Sequence, residues 1–191
     1  MRRIVGITGG FGVGKSTVCK MLVALGAAWI EADSVTHELY LPGRPGYTKI
    51  KGYFGDEFVN EQGVDRDKLR SVVLGNVQKI WILNKLIHPL VTHGVRQLLI
   101  TKYKTHECLI AIESIYFEKD DLGPLIDKLV IVRREPEEVV RSRTGQWPSS
   151  DMEKFIKIQP FYPVPDFQVD NSGTLLDLER AVANMYSNLI R

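Results

Sequence analysis

Eight residues near the start of the chain, Gly9-Gly10-Phe11-Gly12-Val13-Gly14-Lys15-Ser16, fit the pattern G-x-x-x-x-G-K-[ST]. Glycines at 9, 12 and 14 reach backbone angles closed to other residues, so successive N–H groups can turn inward around a phosphate chain. A helix that starts just beyond them adds its positive end. An ammonium at Lys15 then meets the β- and γ-phosphates, and the Ser16 hydroxyl ligates the Mg²⁺ that bridges them. The bland alternative is a glycine-rich turn that happens to precede a lysine. It does not account for the apolar run Ile4-Val5-Gly6-Ile7 before the loop and the helical pattern from Thr17 to Leu25 after it, the context this chemistry requires. The stretch is expected to bind a nucleoside triphosphate.

Other chemistry-bearing residues fall at the ends of apolar segments. Ile4–Thr8 reads as a buried parallel strand, and residues 16–25 as a helix closed by Gly26 in the C-terminal cap position. Ala27–Ile30 is the second strand, and it delivers Glu31-Ala32-Asp33 to the carboxyl edge of the sheet, where open α/β folds bind ligands. Asp33 there is either a functional carboxylate or the cap of a helix beginning near Ser34. Cys108–Ile112 is the third strand, followed by Glu113 and then Glu118. Glu113 is the better placed of the two to hold a metal's water shell. Lys128–Val132 is the fourth, leading to Arg133, Arg134, Arg141 and Arg143, a set suited to clamping phosphates. Part of that charge is accounted for by Glu137 and Glu138, three to four residues before Arg141 on the same helical segment. Phe167–Asp170 reads as the last strand. Asn171-Ser172-Gly173 turns into a final helix with Thr174 and Asp177 as a capping box and Leu175, Leu178, Val182, Met185, Tyr186 and Leu189 on one face.

Between residues 34 and 104 the pattern is helical and interrupted by turns at Pro42–Gly46, Phe54–Asp56 and Glu61–Arg66. This is too long for a simple crossover and predicts an inserted helical subdomain that shapes a pocket over a second substrate. Asp65–Leu69 starts one of its helices, and Trp81–Leu86 forms another that stops before Pro89. His88, beside that break, is more often structural than catalytic in such a setting.

With 191 residues and 44% hydrophobic content, the chain suits one domain with a sizeable core. Lys and Arg together number 25 against 23 Asp and Glu, and the charges are dispersed, so neither nucleic acid nor a membrane is expected as a partner. Cys19 and Cys108 lack disulfide-framework or zinc spacing, which predicts a reducing compartment, the cytoplasm by default. Met-Arg-Arg at the start is not followed by an uninterrupted apolar region of the kind a secretory signal needs. The expected fold class is α/β, a doubly wound parallel sheet of about five strands with an inserted helical substrate-binding subdomain at about 34–104.

Taken together these pieces resemble the dephospho-coenzyme A kinase family, phosphate-loop kinases of small molecules. The similarity runs through most of the chain: Thr8-Gly9-Gly10 to Ser16-Thr17, Ala32-Asp33, Pro42-Gly43, Phe54-Gly55, Asp65-Arg66 to Leu69, Ile87-His88-Pro89-Leu90-Val91, Phe117-Glu118, Gln159, and Asp170-Asn171-Ser172-Gly173. The loop is shared with many kinases, whereas the His-Pro segment and the Asn-Ser-Gly turn are far more particular. The resemblance implies transfer of the γ-phosphoryl group of ATP, with Mg²⁺, to the ribose 3′-hydroxyl of dephospho-CoA, by a monomer or weak homo-oligomer. It implies a single kinase domain over 1–191, with the helical subdomain and a lid at about 141–160. Carried onto this chain, it gives Lys15, Asp33 and Arg143 catalytic roles. Gly10, Gly12, Val13, Gly14, Lys15, Ser16, Thr17 and Asn171 bind the nucleotide, Ser16 also holds the metal, and Asp33, His88 and Glu118 bind the acceptor. Asp33 takes or orients the 3′-hydroxyl proton, and Arg143 meets the transferring phosphoryl group from the lid. Glu31 stands where the family usually has Asp, and Glu113-Ser114-Ile115-Tyr116 replaces its apolar approach to Phe117-Glu118. After Gln159 the family's basic helix is cut to Pro160–Pro165. The alternatives are a nucleoside monophosphate or other small-molecule kinase, and a nucleotide-binding homologue with little turnover. A regulatory GTPase is set aside, because Asn84-Lys85-Leu86-Ile87 lacks the carboxylate that reads guanine.

Overall fold

The computed structural model describes residues 3–74, 76–105, 108–118, 121–136, 139 and 164–191. The chain divides into two compact units, one of residues 1–31 with 98–191 and the other of residues 32–97.

The first unit holds five parallel strands, β1 (Arg3–Thr8), β2 (Ala28–Glu31), β5 (Leu109–Glu113), β6 (Lys128–Arg133) and β7 (Phe167–Asp170). They lie in the order β2-β5-β1-β6-β7. All four pairings are parallel, as in a doubly wound α/β sheet. After β1 the chain leaves toward the β2 side, and after β6 it leaves toward β7, so the topological switch point lies between β1 and β6. That is where open α/β sheets bind ligands, beyond the carboxyl ends of the strands. The strands read as near-continuous apolar runs because both sheet faces are covered; all five residues of β5 are buried.

Helix α1 (Lys15–Ala24) turns Val18, Cys19 and Leu22 into the core. It ends in a Schellman turn. Gly26, at φ +100, donates its N–H to Val23 O at 2.9 Å, and Ala27 donates to Leu22 O at 3.0 Å. The last helix, α6 (Leu175–Leu189), carries the expected capping box, Thr174 accepting from the Asp177 N–H while the Asp177 side chain accepts from the Thr174 N–H. Its inward face is Leu178, Val182, Met185 and Leu189, packed with Val5, Ile7, Leu22, Val130 and Val169. Leu175, expected on that face, is instead 62% exposed. It is the first residue of the helix, a full turn before the first buried position, and the apolar stripe begins only at Leu178. Each fully buried Leu or Val contributes roughly 1.5–3 kcal/mol. The half-exposed Lys128–Asp166 ion pair, 2.7 Å across, is worth about 1 kcal/mol at most. Apolar packing therefore fixes the strand ends, and the ion pair trims the entry to β7.

In the unit 32–97, helices α2 (Ala32–Leu39), α3 (Pro45–Phe54), α4 (Arg66–Val73) and the first part of α5 (Val77–Thr105) accompany a two-residue antiparallel pair, β3 (Val59–Asn60) with β4 (Gly63–Val64). The expected helix stop before Pro89 is not observed: α5 runs through the proline without a break. A proline at 89 deprives the Lys85 carbonyl of its usual donor, but Lys85 and Pro89 are both exposed, so water can serve that carbonyl. The helix is held instead by Ile87, Val91, Val95 and Leu99, buried at intervals of four residues on its other side. Among the described residues no helix is long and apolar enough to cross a membrane.

Candidate functional site

Strand β1 ends at Thr8, fully buried, and the chain passes through Gly9–Gly14 into α1. The loop's path needs glycine. Gly14 is left-handed at φ +98, and a Cβ there would lie 2.3 Å from Asn171 Nδ2. At Gly9 a Cβ would lie 2.3 Å from the carbonyl oxygen of Val132, so the loop presses against β6. Gly14 is also the N-cap of α1. It offers no side-chain hydrogen bond, and no acidic residue occupies the first turn. The helix thus brings no carboxylate of its own to its positive end, which suits a phosphate.

Lys15 folds back over the loop and donates to the carbonyls of Gly9 at 3.1 Å and Gly10 at 3.0 Å, spanning the hollow of the loop. The Ser16 hydroxyl donates to Glu113 Oε1 at 2.8 Å. Glu113 is 7% exposed at the carboxyl end of β5, and its register partner on β2 is Glu31, so two strand-end carboxylates stand side by side there. The set fits Mg²⁺, which takes one or two carboxylates, hydroxyls and waters together with substrate phosphates and needs no all-protein cage. Among the described residues no group of three or more His, Cys, Asp and Glu could hold a metal by itself. One turn after Ser16 lies the buried Cys19. Burial pushes its thiol well above the ordinary cysteine range, with the Glu113 charge adding to the effect, so it stays a protonated packing group rather than a nucleophile.

Asn171 locks the loop from the far end of the chain. Its side-chain Nδ2 donates to Val13 O at 2.8 Å, and its own N–H donates to Arg133 O at 2.8 Å. A cavity of about 410 Å³ opens beside this lock, lined by Gly10, Val13, Arg133, Pro136, Asp170 and Ser172 among others. Its wall is cross-tied: the Ser172 N–H donates to Asp170 Oδ1 at 2.9 Å, and Ser172 Oγ accepts from the Glu135 N–H at 3.2 Å. The bonds from Ser172 hold the Asp170 carboxyl below the usual range. Asn171→Ala removes the Val13 bond and leaves room beside Gly14. We expect a loss of about 1 kcal/mol of stability and severalfold weaker nucleotide binding, read by a melting curve and a calorimetric titration; unchanged nucleotide affinity would mean the lock does not shape the loop.

Thus Gly10, Gly12, Val13, Gly14, Lys15, Ser16 and Thr17 lie together in the loop and first turn, with Asn171 against them and Glu113 on Ser16. Phe117 packs against β1 at Gly6: a Cβ there would lie 2.9 Å from its ring, so glycine at 6 makes room for it. Glu118, which follows, is exposed, and its backbone carbonyl closes a turn by accepting from the Asp121 and Gly123 N–H groups. In the other unit, Asp33 is exposed in the first turn of α2, one residue inside a helix that starts at Ala32 rather than near Ser34. His88 is half-buried within α5. Arg141, Arg143, Gln159 and the lid at about 141–160 lie outside the described residues. Sequence reasoning did not single out Asp170 and Ser172 as cavity walls. The only signal for them was their place on either side of Asn171.

The sequence model of the family described as Dephospho-CoA kinase matches residues 3–159. A dephospho-CoA kinase from Streptomyces avermitilis is 33% identical over 193 residues, covering 97% of this chain and 93% of the relative. One from Aquifex aeolicus is 30% identical, covering 100% and 99%. Among solved structures, a Thermus thermophilus protein superposes with a TM-score of 0.75 at 26% identity over 98% of both chains. The dephospho-CoA kinase of Campylobacter jejuni shares the fold, with a TM-score of 0.60 at 17% identity over 99% of this chain and 98% of that one. With a phosphate loop intact at every defining position, a carboxylate on its serine and a family match spanning most of its length, this chain belongs to the dephospho-CoA kinase family.

Proposed function

We propose that the protein phosphorylates the ribose 3′-hydroxyl of dephospho-CoA at the expense of ATP, the reaction that completes coenzyme A. The observation that carries this reading is the loop itself. Lys15 spans its hollow, Ser16 is tied to Glu113, and α1 begins with no carboxylate of its own, in a chain whose relatives are named for this activity.

In the reaction the acceptor's 3′-oxygen bonds to the γ-phosphorus, the bond from that phosphorus to the β–γ bridging oxygen breaks, and the hydroxyl proton leaves. Lys15 is to exchange the Gly9 and Gly10 carbonyls for phosphate oxygens, so that its charge matches what builds up on the bridging and equatorial oxygens. The backbone N–H groups of the loop hold the chain of phosphates still. Ser16 and Glu113 would hold Mg²⁺, which would offset negative charge on the phosphate groups. The cavity bounded by Arg133, Asp170 and Ser172 suits the nucleoside end of the triphosphate in size and in hydrogen-bonding groups. Asp33, two residues past the end of β2, is assigned to orient the acceptor hydroxyl and take its proton. Arg143 is assigned to the transferring phosphoryl group. His88 and Glu118 are assigned to acceptor binding.

The test is a panel of acceptors offered with Mg·ATP: dephospho-CoA, the nucleoside monophosphates and shikimate, with ADP release followed. Release with dephospho-CoA alone is expected. Turnover of a nucleoside monophosphate at a higher kcat/KM would make the protein a kinase of that substrate instead.

A further inference from the structure

Glycine weakens a helix interior more than any residue but proline, so Gly94, the single glycine within α5, calls for a reason beyond the helix itself. It lies three residues after Val91 and one before Val95, both buried. A Cβ at 94 would stand 2.6 Å from Cγ1 of Val35 and 3.9 Å from its Cβ. Carbon atoms in ordinary contact are about 3.5–4.0 Å apart. Within the unit 32–97, α2 therefore comes against α5 more closely than any side chain at 94 permits.

Val35 is the middle anchor of α2, whose buried residues are Ala32 and Val35. The carboxyl end of the helix is clasped by main chain. A Cβ on Gly46, in α3, would lie 2.6 Å from the Leu39 carbonyl oxygen, and one on Gly63, in β4, would lie 2.5 Å from that of Tyr40. The Val64 N–H donates to the same Tyr40 oxygen at 3.0 Å. Held there, α2 answers a push at Val35 by swinging its amino-terminal turn. Asp33 sits exposed in that turn and takes its position from the helix that carries it. Two residues span about 200° of helical rotation, so Val35 faces α5 while Asp33 looks away, and what displaces the one carries the other outward.

We propose that Gly94 is a positioning residue for phosphoryl transfer: by leaving room for Val35 it sets where α2 lies and, through that helix, where Asp33 meets the acceptor hydroxyl. The assignment rests on the kinase reading above and on the role given there to Asp33. Val35 does not absorb an added methyl by turning, because a β-branched side chain in a helix is nearly confined to one rotamer. On the other side, Val91 and Val95 hold α5 in place. A methyl at 94 thus moves α2 by roughly 1 Å, the distance from the 2.6 Å approach to ordinary contact. Misplacing a reacting group by that much costs about 10²-fold in rate. The same methyl improves α5 as a helix, which offsets part of the strain in the fold.

The experiment compares the full-length protein with Gly94→Ala, Val35→Ala, the pair Gly94→Ala with Val35→Ala, and Gly94→Ala combined with Asp33→Asn. The readouts are kcat at saturating dephospho-CoA and Mg·ATP, the ATP Kd and the melting curve. Gly94→Ala is expected to lower kcat roughly 10- to 100-fold, with ATP Kd and Tm near the parent values. Removing the methyls it strikes should bring the Gly94→Ala, Val35→Ala pair back to the kcat of Val35→Ala alone, a rescue that a general loss of packing would not show. In the Asp33→Asn background the Gly94 substitution should cost at most about a further twofold, since the group it displaces has already lost its basicity. Parent-like kcat in Gly94→Ala, no recovery in the pair, an equal loss with and without the Asp33 carboxylate, or a Gly94→Ala protein without a melting transition would each overturn the positioning role and leave the kinase reading intact. A parent protein that does not phosphorylate dephospho-CoA would overturn the kinase reading itself.

Discussion

Lys15→Ala is expected to abolish nearly all phosphoryl transfer while leaving the fold in place. The expected loss in kcat is at least the roughly 10²–10³-fold that follows removal of a single preorganised donor to a developing charge, because a full ammonium is lost rather than a neutral N–H. The structural consequences are small by comparison. Lys15 contributes two hydrogen bonds to the carbonyls of Gly9 and Gly10, each worth about 1 kcal/mol net, and those carbonyls lie beside a ligand hollow where water can replace the donor. The loop's shape is set by glycine torsions, by Gly9 against Val132 and by Asn171 on Val13. A melting temperature within a few degrees of the parent with transfer reduced to a trace is the expected pair of measurements. Near-parent kcat in a well-folded variant would remove Lys15 from the site.

The second large effect belongs to Asp33. Asp33→Asn keeps the size and one carbonyl oxygen while discarding the charge and the basicity. In the first turn of α2 the negative charge interacts favourably with the helix's positive end, by about 0.3–1 kcal/mol at an exposed position, so the variant should melt only slightly early. The catalytic effect is of another order. A hydroxyl acceptor must lose its proton as the new bond forms, and loss of a positioned general base slows such steps by roughly 10²–10⁴-fold. ATP affinity is expected to stay unchanged, since no part of the phosphate loop is altered. The measurement is product formation from dephospho-CoA at saturating substrates, beside an ATP titration. Full activity in Asp33→Asn would leave the residue a first-turn helix charge, with Glu31 next to test.

What the sequence discloses depends on how far apart the interacting residues lie. The phosphate loop, the strand before it and the helix after it are one continuous stretch, and its chemistry is written in residue types, so loop and β1 are legible together. The Schellman turn at Gly26 and the capping box of Thr174 and Asp177 are legible for the same reason, each spanning a few residues. The sheet order is a different matter. Apolar runs announce the five strands, but that β5 inserts between β2 and β1 follows from three-dimensional packing. So does the bond from Ser16 to Glu113, which joins residues 97 apart, and the one from Asn171 to Val13, 158 apart. Glu113 could be suggested from its place at a strand end, yet its contact with the serine could not. Pro89 misled because the rule that proline ends helices assumes a carbonyl with no other source of a hydrogen bond, and here the freed carbonyl belongs to an exposed residue.

The central claim is that one phosphoryl group moves from ATP to a particular oxygen of the acceptor, and the position of the phosphate on the product tests it most directly. Dephospho-CoA, Mg·ATP and the full-length protein are incubated together, and the product is examined by mass spectrometry and by ³¹P–¹H correlation NMR. The account predicts one added phosphate per acceptor, coupled to the ribose H3′, in amounts equal to the ADP formed. A phosphate coupled to H2′ or carried on the pantetheine arm, or ADP formed with no phosphorylated acceptor, would contradict it.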